Sequence, residues 1–324
     1  MTLPKGDDGF WFISLSETKI YWFDLVVEPL EHESINTRDA IASDLKAKEI
    51  IDRKSKASRF VYFFASRPRV RIDTSIPLEF DLKSRVLTFR VLLGRESKPI
   101  WLKPKMEIDE GIIESVYLTS TDRSIRIYSN SETSRTVSIH DFLAHTNLSL
   151  GKSTEILYVG STADQASRFL KRQHRGVTDS IYQKGSESHD FFFYSNVFTV
   201  HESLNYHSAS ARLISQVVSL NFQDCKEECE VVENGLIRYF GCKSQKLNEK
   251  PEVGKLRNAF INLHEKRGIS KLAYHIEVEP EPNYFNFFSV NAKPKSNHTF
   301  MYTLKENEVD LSVFANESKM AKAL

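Results

Sequence analysis

Tyr158-Val159-Gly160 closes a short apolar run at residues 156–159, and the side chains that follow it are of kinds that handle phosphate. A strand ending in Tyr-x-Gly presents the tyrosine at its C-terminal end, and the glycine lets a ligand or a second backbone approach closely. Ser161-Thr162-Ala163-Asp164 offers a cap for a helix over residues 165–174. On and just past that helix, Arg168, Lys171, Arg172 and Arg175 fall at i, i+3, i+4 and i+7, which makes one basic stripe. A guanidinium such as that of Arg168 suits bidentate contact with a phosphate, and His174 lies close by. The bland alternative is an ordinary solvated basic face behind a half-buried tyrosine.

Glu233 precedes Leu236, Ile237 and Phe240 by three, four and seven residues, so its carboxylate shares the apolar face of a helix. A carboxylate there is paired, hydrogen-bonded or metal-bound, because burying it alone is costly. A Mg²⁺ ion held by one carboxylate, water and phosphate oxygens meets that need. A glutamate at the edge of the stripe, reaching water, meets it too. Other motifs carry less. Cys225, Cys229 and Cys242, with His201 or His207 as a fourth ligand, match no common zinc spacing. Gly151-Lys152-Ser153 lacks the earlier glycine of a phosphate-binding loop and precedes a strand, which makes it a turn.

The elements that must position these residues can be read from periodicity. Residues 10–15, 20–27, 60–66, 86–93 and 125–128 have the β-branched and aromatic character of strands. They are interrupted by a helix over residues 38–54, capped by Asn36 or Thr37. A helix start at residues 138–143, a strand at 191–200 and helices at 208–220 and 227–240 follow, the last closed by Gly241. Beyond Pro251 the pattern returns to strands at 272–278, 284–290 and 298–304. The class is therefore α+β. The expected organisation is a β-rich segment 1–135, a mixed segment 136–250 and a strand-rich extension 251–324 packing on the core.

Composition narrows the partners. With 44 Lys and Arg against 43 Asp and Glu, the net charge of +1 excludes a protein that holds nucleic acid by bulk charge, although not by a local patch. Three clustered cysteines do not make a secreted disulfide framework. No apolar run reaches the roughly 18–20 residues of a membrane span. With no apolar leader at the start, a cytoplasmic protein is the expectation.

Taken together these residues resemble the GIY-YIG nuclease superfamily. Tyr158-Val159-Gly160 stands where that family has its second tripeptide. Arg168 lies eight residues after Gly160, at the place of the family's helix arginine. Glu233, with Leu236-Ile237 behind it, resembles the family's metal-binding glutamate, and Asn248, fifteen residues further on, its closing asparagine. The resemblance covers about residues 145–250, with an insertion around 176–207. The first tripeptide is expected shortly before Tyr158, but residues 144–150 contain no Gly-Ile-Tyr. That strand has either diverged or lies earlier, near Ile139-His140.

The resemblance implies a small core with a central antiparallel sheet flanked by helices, and hydrolysis of DNA phosphodiesters with Mg²⁺ or Mn²⁺. Tyr158 would orient or deprotonate the water, Arg168 would stabilise the phosphate and Glu233 would hold the metal. His174 would shuttle a proton or touch phosphate. Gly160, Lys171, Arg172, Arg175 and Asn248 would line or brace the substrate site. Such an enzyme fits host defence, restriction or a mobile element of phage or bacteria. The alternative is a catalytically degenerate module that binds nucleic acid or, through the β-rich N-terminal segment, a protein partner.

Overall fold

Strands that are apolar on both faces must sit inside a sheet covered on both sides, and the chain has such a strand at residues 60–68, where eight of nine residues are buried. The structure, a computed structural model, describes residues 9–30, 37–54, 60–106, 116–129, 133–162, 164–170, 175–206, 211–217, 226–242, 249–278 and 286–324. In chain order β1 (Gly9–Trp22) is followed by α1 (Asp24–Val27), α2 (Thr37–Lys54) and β2 (Phe60–Pro68). Then come β3 (Val70–Ile72), β4 (Glu79–Asp81), β5 (Val86–Leu93), β6 (Lys98–Leu102), β7 (Val116–Ser120), β8 (Ser124–Ser129) and β9 (Thr133–Ser138). The middle of the chain holds α3 (Ile139–His145), β10 (Thr154–Thr162), α4 (Gln165–Leu170), α5 (Arg175–Lys184), β11 (His189–Tyr206) and β12 (Ala211–Val217). After these stand α6 (Lys226–Phe240), α7 (Glu249–Arg267), β13 (Ile269–Glu277), β14 (Phe287–Phe288), β15 (Asn297–Lys305), β16 (Glu308–Phe314) and α8 (Glu317–Ala321).

The α+β class holds. One nine-stranded sheet runs in the order β14-β10-β2-β11-β1-β13-β15-β16, with β12 paired to β11. Alternate residues of a strand point to opposite faces, and the two faces carry separate cores. Tyr62, Phe64, Phe191 and Phe193 pack with Leu45 of α2, Ala166 and Phe169 of α4 and Val177 of α5. Val61, Phe63, Phe192 and Tyr194 join Val232, Leu236 and Phe240 of α6 and Leu256 and Phe260 of α7. Two smaller sheets, β3-β5-β4 with β6 and β7-β8-β9, are inserted between β2 and β10. Among the described residues no helix is long and apolar enough to cross a membrane.

The insertion is tied to the large sheet by one buried carboxylate. Asp190, fully buried at the start of β11, accepts from Arg71 Nη1 (2.7 Å) and the Val70 backbone N–H (2.8 Å), and its Oδ2 lies 2.8 Å from His140 Nε2. Arg71 also donates to Asp24 of α1 (3.2 Å). Burial and the facing charge of Asp190 push the Asp24 carboxyl up to about 7, against the pull of Arg71.

Several expectations change. Residues 208–220, expected as a helix, contain β12, which pairs with the far end of β11 from Val200↔Val217 to Tyr206↔Ala211. A ready hairpin partner overrides a weak helical stripe. Residues 10–15 and 20–27 belong to one 14-residue strand and the turn of helix after it. Pro251, taken as the end of helical texture, lies in the first turn of the 19-residue α7. There a proline gives up only an N–H that has no intrahelical partner. Finally, the large sheet takes β1 and β2 from segment 1–135, β10 to β12 from 136–250 and β13 to β16 from 251–324. Local texture changes at those boundaries, whereas strand pairing runs across them.

Candidate functional site

The nominated tyrosine stands in the sheet. β10 pairs antiparallel with β2, with Tyr158 opposite Phe64, Gly160 opposite Tyr62 and Ser161 opposite Val61. The register shifts between Ile156 and Tyr158, and the shift turns Tyr158 to the same side as Leu157, against the α4–α5 core. There its ring stacks on that of Tyr62, with centroids 6.0 Å apart and planes 28° apart, and Tyr62 stacks in turn on Phe193. Tyr62 is fully buried, whereas Tyr158 is half-buried.

Two glycines clasp the ring. A Cβ on Gly160 would lie 2.7 Å from both Tyr158 Cε1 and Tyr62 Oη, and one on Gly176, in the first turn of α5, 2.5 Å from Tyr158 Cε2. The close approach expected at Gly160 is thus made by tyrosine rings. Gly160→Ala is expected to cost about 1–3 kcal/mol, the range for overpacking a filled core. Urea unfolding would measure it, and an unchanged midpoint would mean that the rings move aside freely.

Glu233 reaches the same strand from the opposite layer. Leu236, Ile237 and Phe240 of α6 are buried, as their spacing predicts, and Glu233 is half-buried. Its Oε1 accepts from the Ser161 backbone N–H (3.0 Å) and its Oε2 from Ser161 Oγ (2.6 Å). Gly235 in mid-helix is explained by tertiary contact, since the Tyr274 ring fills the place of its missing side chain and Tyr302 Oη donates to its carbonyl (2.8 Å). Gly241, at φ +55°, ends the helix as expected.

The fold therefore joins Glu233 to Ser161, the residue after Gly160, whereas the Tyr158 ring packs on the α4–α5 side of the sheet. Arg168 lies on α4 between the buried Ala166 and Phe169, and Arg175 opens α5; their side chains are outside what the structure describes. Lys171, Arg172, His174 and Asn248 lie outside the described residues.

Two residues of the site escaped the sequence reading. Ile139 and His140, suggested for the missing first strand, form the first turn of α3, with His140 buried against Asp190. The strand that pairs antiparallel with β10 is β2, so Phe60-Val61-Tyr62 stands opposite Gly160-Ser161-Thr162. Nothing local marks Tyr62 as a neighbour of Tyr158, because the inserted sheets separate the two strands in sequence. Ser161 was read only as a helix cap. Cys229 and Cys242 pack in the apolar core, and among the described residues no three His, Cys, Asp or Glu side chains group to hold a metal. A cation at this place would rely on Glu233, whose two carboxylate oxygens each accept from Ser161. A cleft of about 490 Å³, bounded by Phe23, Asp24, Arg69, Arg71, Arg123 and Phe191, includes none of the nominated residues. No protein-family model, curated protein or solved structure matches the chain.

Proposed function

We propose that this chain is a divergent GIY-YIG nuclease, a cytoplasmic enzyme that hydrolyses DNA phosphodiester bonds with a divalent metal. The observation that carries the reading is the pair of hydrogen bonds from Ser161 to Glu233. They join residues 72 apart in sequence and set Glu233 against the residue that follows Tyr158-Val159-Gly160. The stacking of Tyr62 on Tyr158 supports it further, with Phe60-Val61-Tyr62 standing in for the missing first tripeptide.

In this reading Tyr158, the half-buried member of the tyrosine pair, orients or deprotonates the attacking water. Tyr62 and the two glycines fix its ring. Arg168 stabilises charge developing on the phosphate, and Lys171, Arg172 and Arg175 draw the backbone in. His174 relays a proton and Asn248 braces the site. Glu233 is the protein ligand for Mg²⁺ or Mn²⁺, which when bound would supply positive charge to the leaving oxygen. A phage or bacterial defence or mobile-element setting suits such an activity.

One observation favours a second reading. If Phe60-Val61-Tyr62 stands for the first tripeptide, a phenylalanine takes the place of its glycine, and Tyr62 is wholly buried. A module that has kept the fold and lost the reaction would bind nucleic acid or a protein partner instead. Incubation of the full chain with supercoiled plasmid separates the two. Nicking or linearisation with Mg²⁺ or Mn²⁺, abolished by a chelator, is the expected result, and an inert chain that still shifts DNA in a gel would move the conclusion to the second reading.

A further inference from the structure

We infer that Ser161 is a positioning residue for Glu233, holding the carboxylate in the orientation that accepts a divalent cation. The inference rests on the nuclease reading only in taking Glu233 as the metal ligand. Ser161 places two donors on two different oxygens, its N–H on Oε1 at 3.0 Å and its Oγ–H on Oε2 at 2.6 Å. The terminal torsion of a glutamate is broad, so one bond leaves the carboxylate free to turn, whereas two bonds to separate oxygens fix its plane. Both sides of this bridge are stiff. Ser161 is in β10, in register with Val61 of β2. Behind Glu233, α6 is held by Tyr302 on the Gly235 carbonyl and by the Tyr274 ring against Gly235. The helix and strand are thus spaced by packing, and Ser161 engages both carboxylate oxygens across that spacing. Residues that orient a metal ligand in this way are worth about 10–100-fold in metal affinity.

The test is Mn²⁺ binding by the full chain without DNA, read as loss of the free-ion paramagnetic resonance signal. Wild type, Ser161→Ala, Ser161→Thr and Glu233→Gln would be compared, with melting temperature recorded for each. Mn²⁺ should bind Ser161→Ala about 10–100-fold more weakly than wild type. Ser161→Thr, which keeps the hydroxyl, should bind close to wild type. A lower melting temperature in Ser161→Ala with unmoved Mn²⁺ affinity would assign Ser161 a merely structural role and overturn the inference. Wild-type affinity in Ser161→Ala combined with lost binding in Glu233→Gln would overturn it while leaving the metal role of Glu233 standing. Equal binding by wild type and Glu233→Gln would remove that role and the inference with it.

Discussion

Glu233→Gln is expected to leave the protein folded and to lower metal-dependent plasmid cleavage by about 10³-fold or more. The magnitude follows from the several kcal/mol that a metal contributes to charge stabilisation in the transition state, at about 1.4 kcal/mol per decade of rate. The fold should tolerate the change because glutamine has the same length. Its carbonyl oxygen can accept from the Ser161 N–H, which now bonds Oε1 at 3.0 Å, and its amide nitrogen can donate to the Ser161 hydroxyl, which now bonds Oε2 at 2.6 Å. What it loses is the charge and the hard oxygen pair that a Mg²⁺-type ion requires. Initial cleavage rates at matched melting temperatures would check it. Undiminished cleavage by Glu233→Gln would end the metal assignment.

Asp190→Ala is expected to destabilise the protein by about 3–5 kcal/mol, the usual cost of removing one partner from a buried charge pair. Asp190 is fully buried and serves three groups at once, the Arg71 guanidinium, the Val70 N–H and the His140 ring. Burial alone would raise its pKa, but His140 and Arg71 outweigh burial and hold the carboxyl below its ordinary value. Truncation leaves the Val70 N–H without its acceptor and takes from the Arg71 guanidinium its fully buried partner, leaving it hydrogen-bonded to Asp24 and the Val70 carbonyl. That penalty, more than the pair's own net worth, sets the size of the effect. Since β3, α3 and β11 all meet at this side chain, the loss should loosen the inserted sheets from the large one. Urea unfolding of wild type, Asp190→Ala and Asp190→Asn would measure it. Asn keeps the shape and some hydrogen bonding, so it should lose less than Ala, and a loss below about 1 kcal/mol for Ala would show the cluster to be dispensable.

The Glu233 helix was legible in the sequence almost residue for residue, because its apolar positions recur at helical spacing and Gly241 stops it. β5 was equally plain, since its alternation survives as the burial pattern of residues 86–93. Residues 208–220 misled because their helical stripe competes with a hairpin that only the far end of β11 supplies. α7 was hidden by Pro251, a residue that breaks helices everywhere except near their start. Tyr62 was missed for a different reason. Its partner in the site is set by sheet register, and two inserted sheets lie between the strands that are paired.

Residue type and period by themselves determined the α+β class, the strand that carries Tyr158, the helix that carries Glu233 and the glycine beside the tyrosine, because each is a local property of a few neighbouring side chains. Only the tertiary structure decided that β2 pairs with β10, that Tyr62 lies under Tyr158 and that Ser161 holds both oxygens of Glu233. Those facts depend on which strands find each other across the insertion and on how two helix layers settle on opposite faces of one sheet. Such choices are made by burial summed over the whole core, and no short stretch of sequence contains that sum.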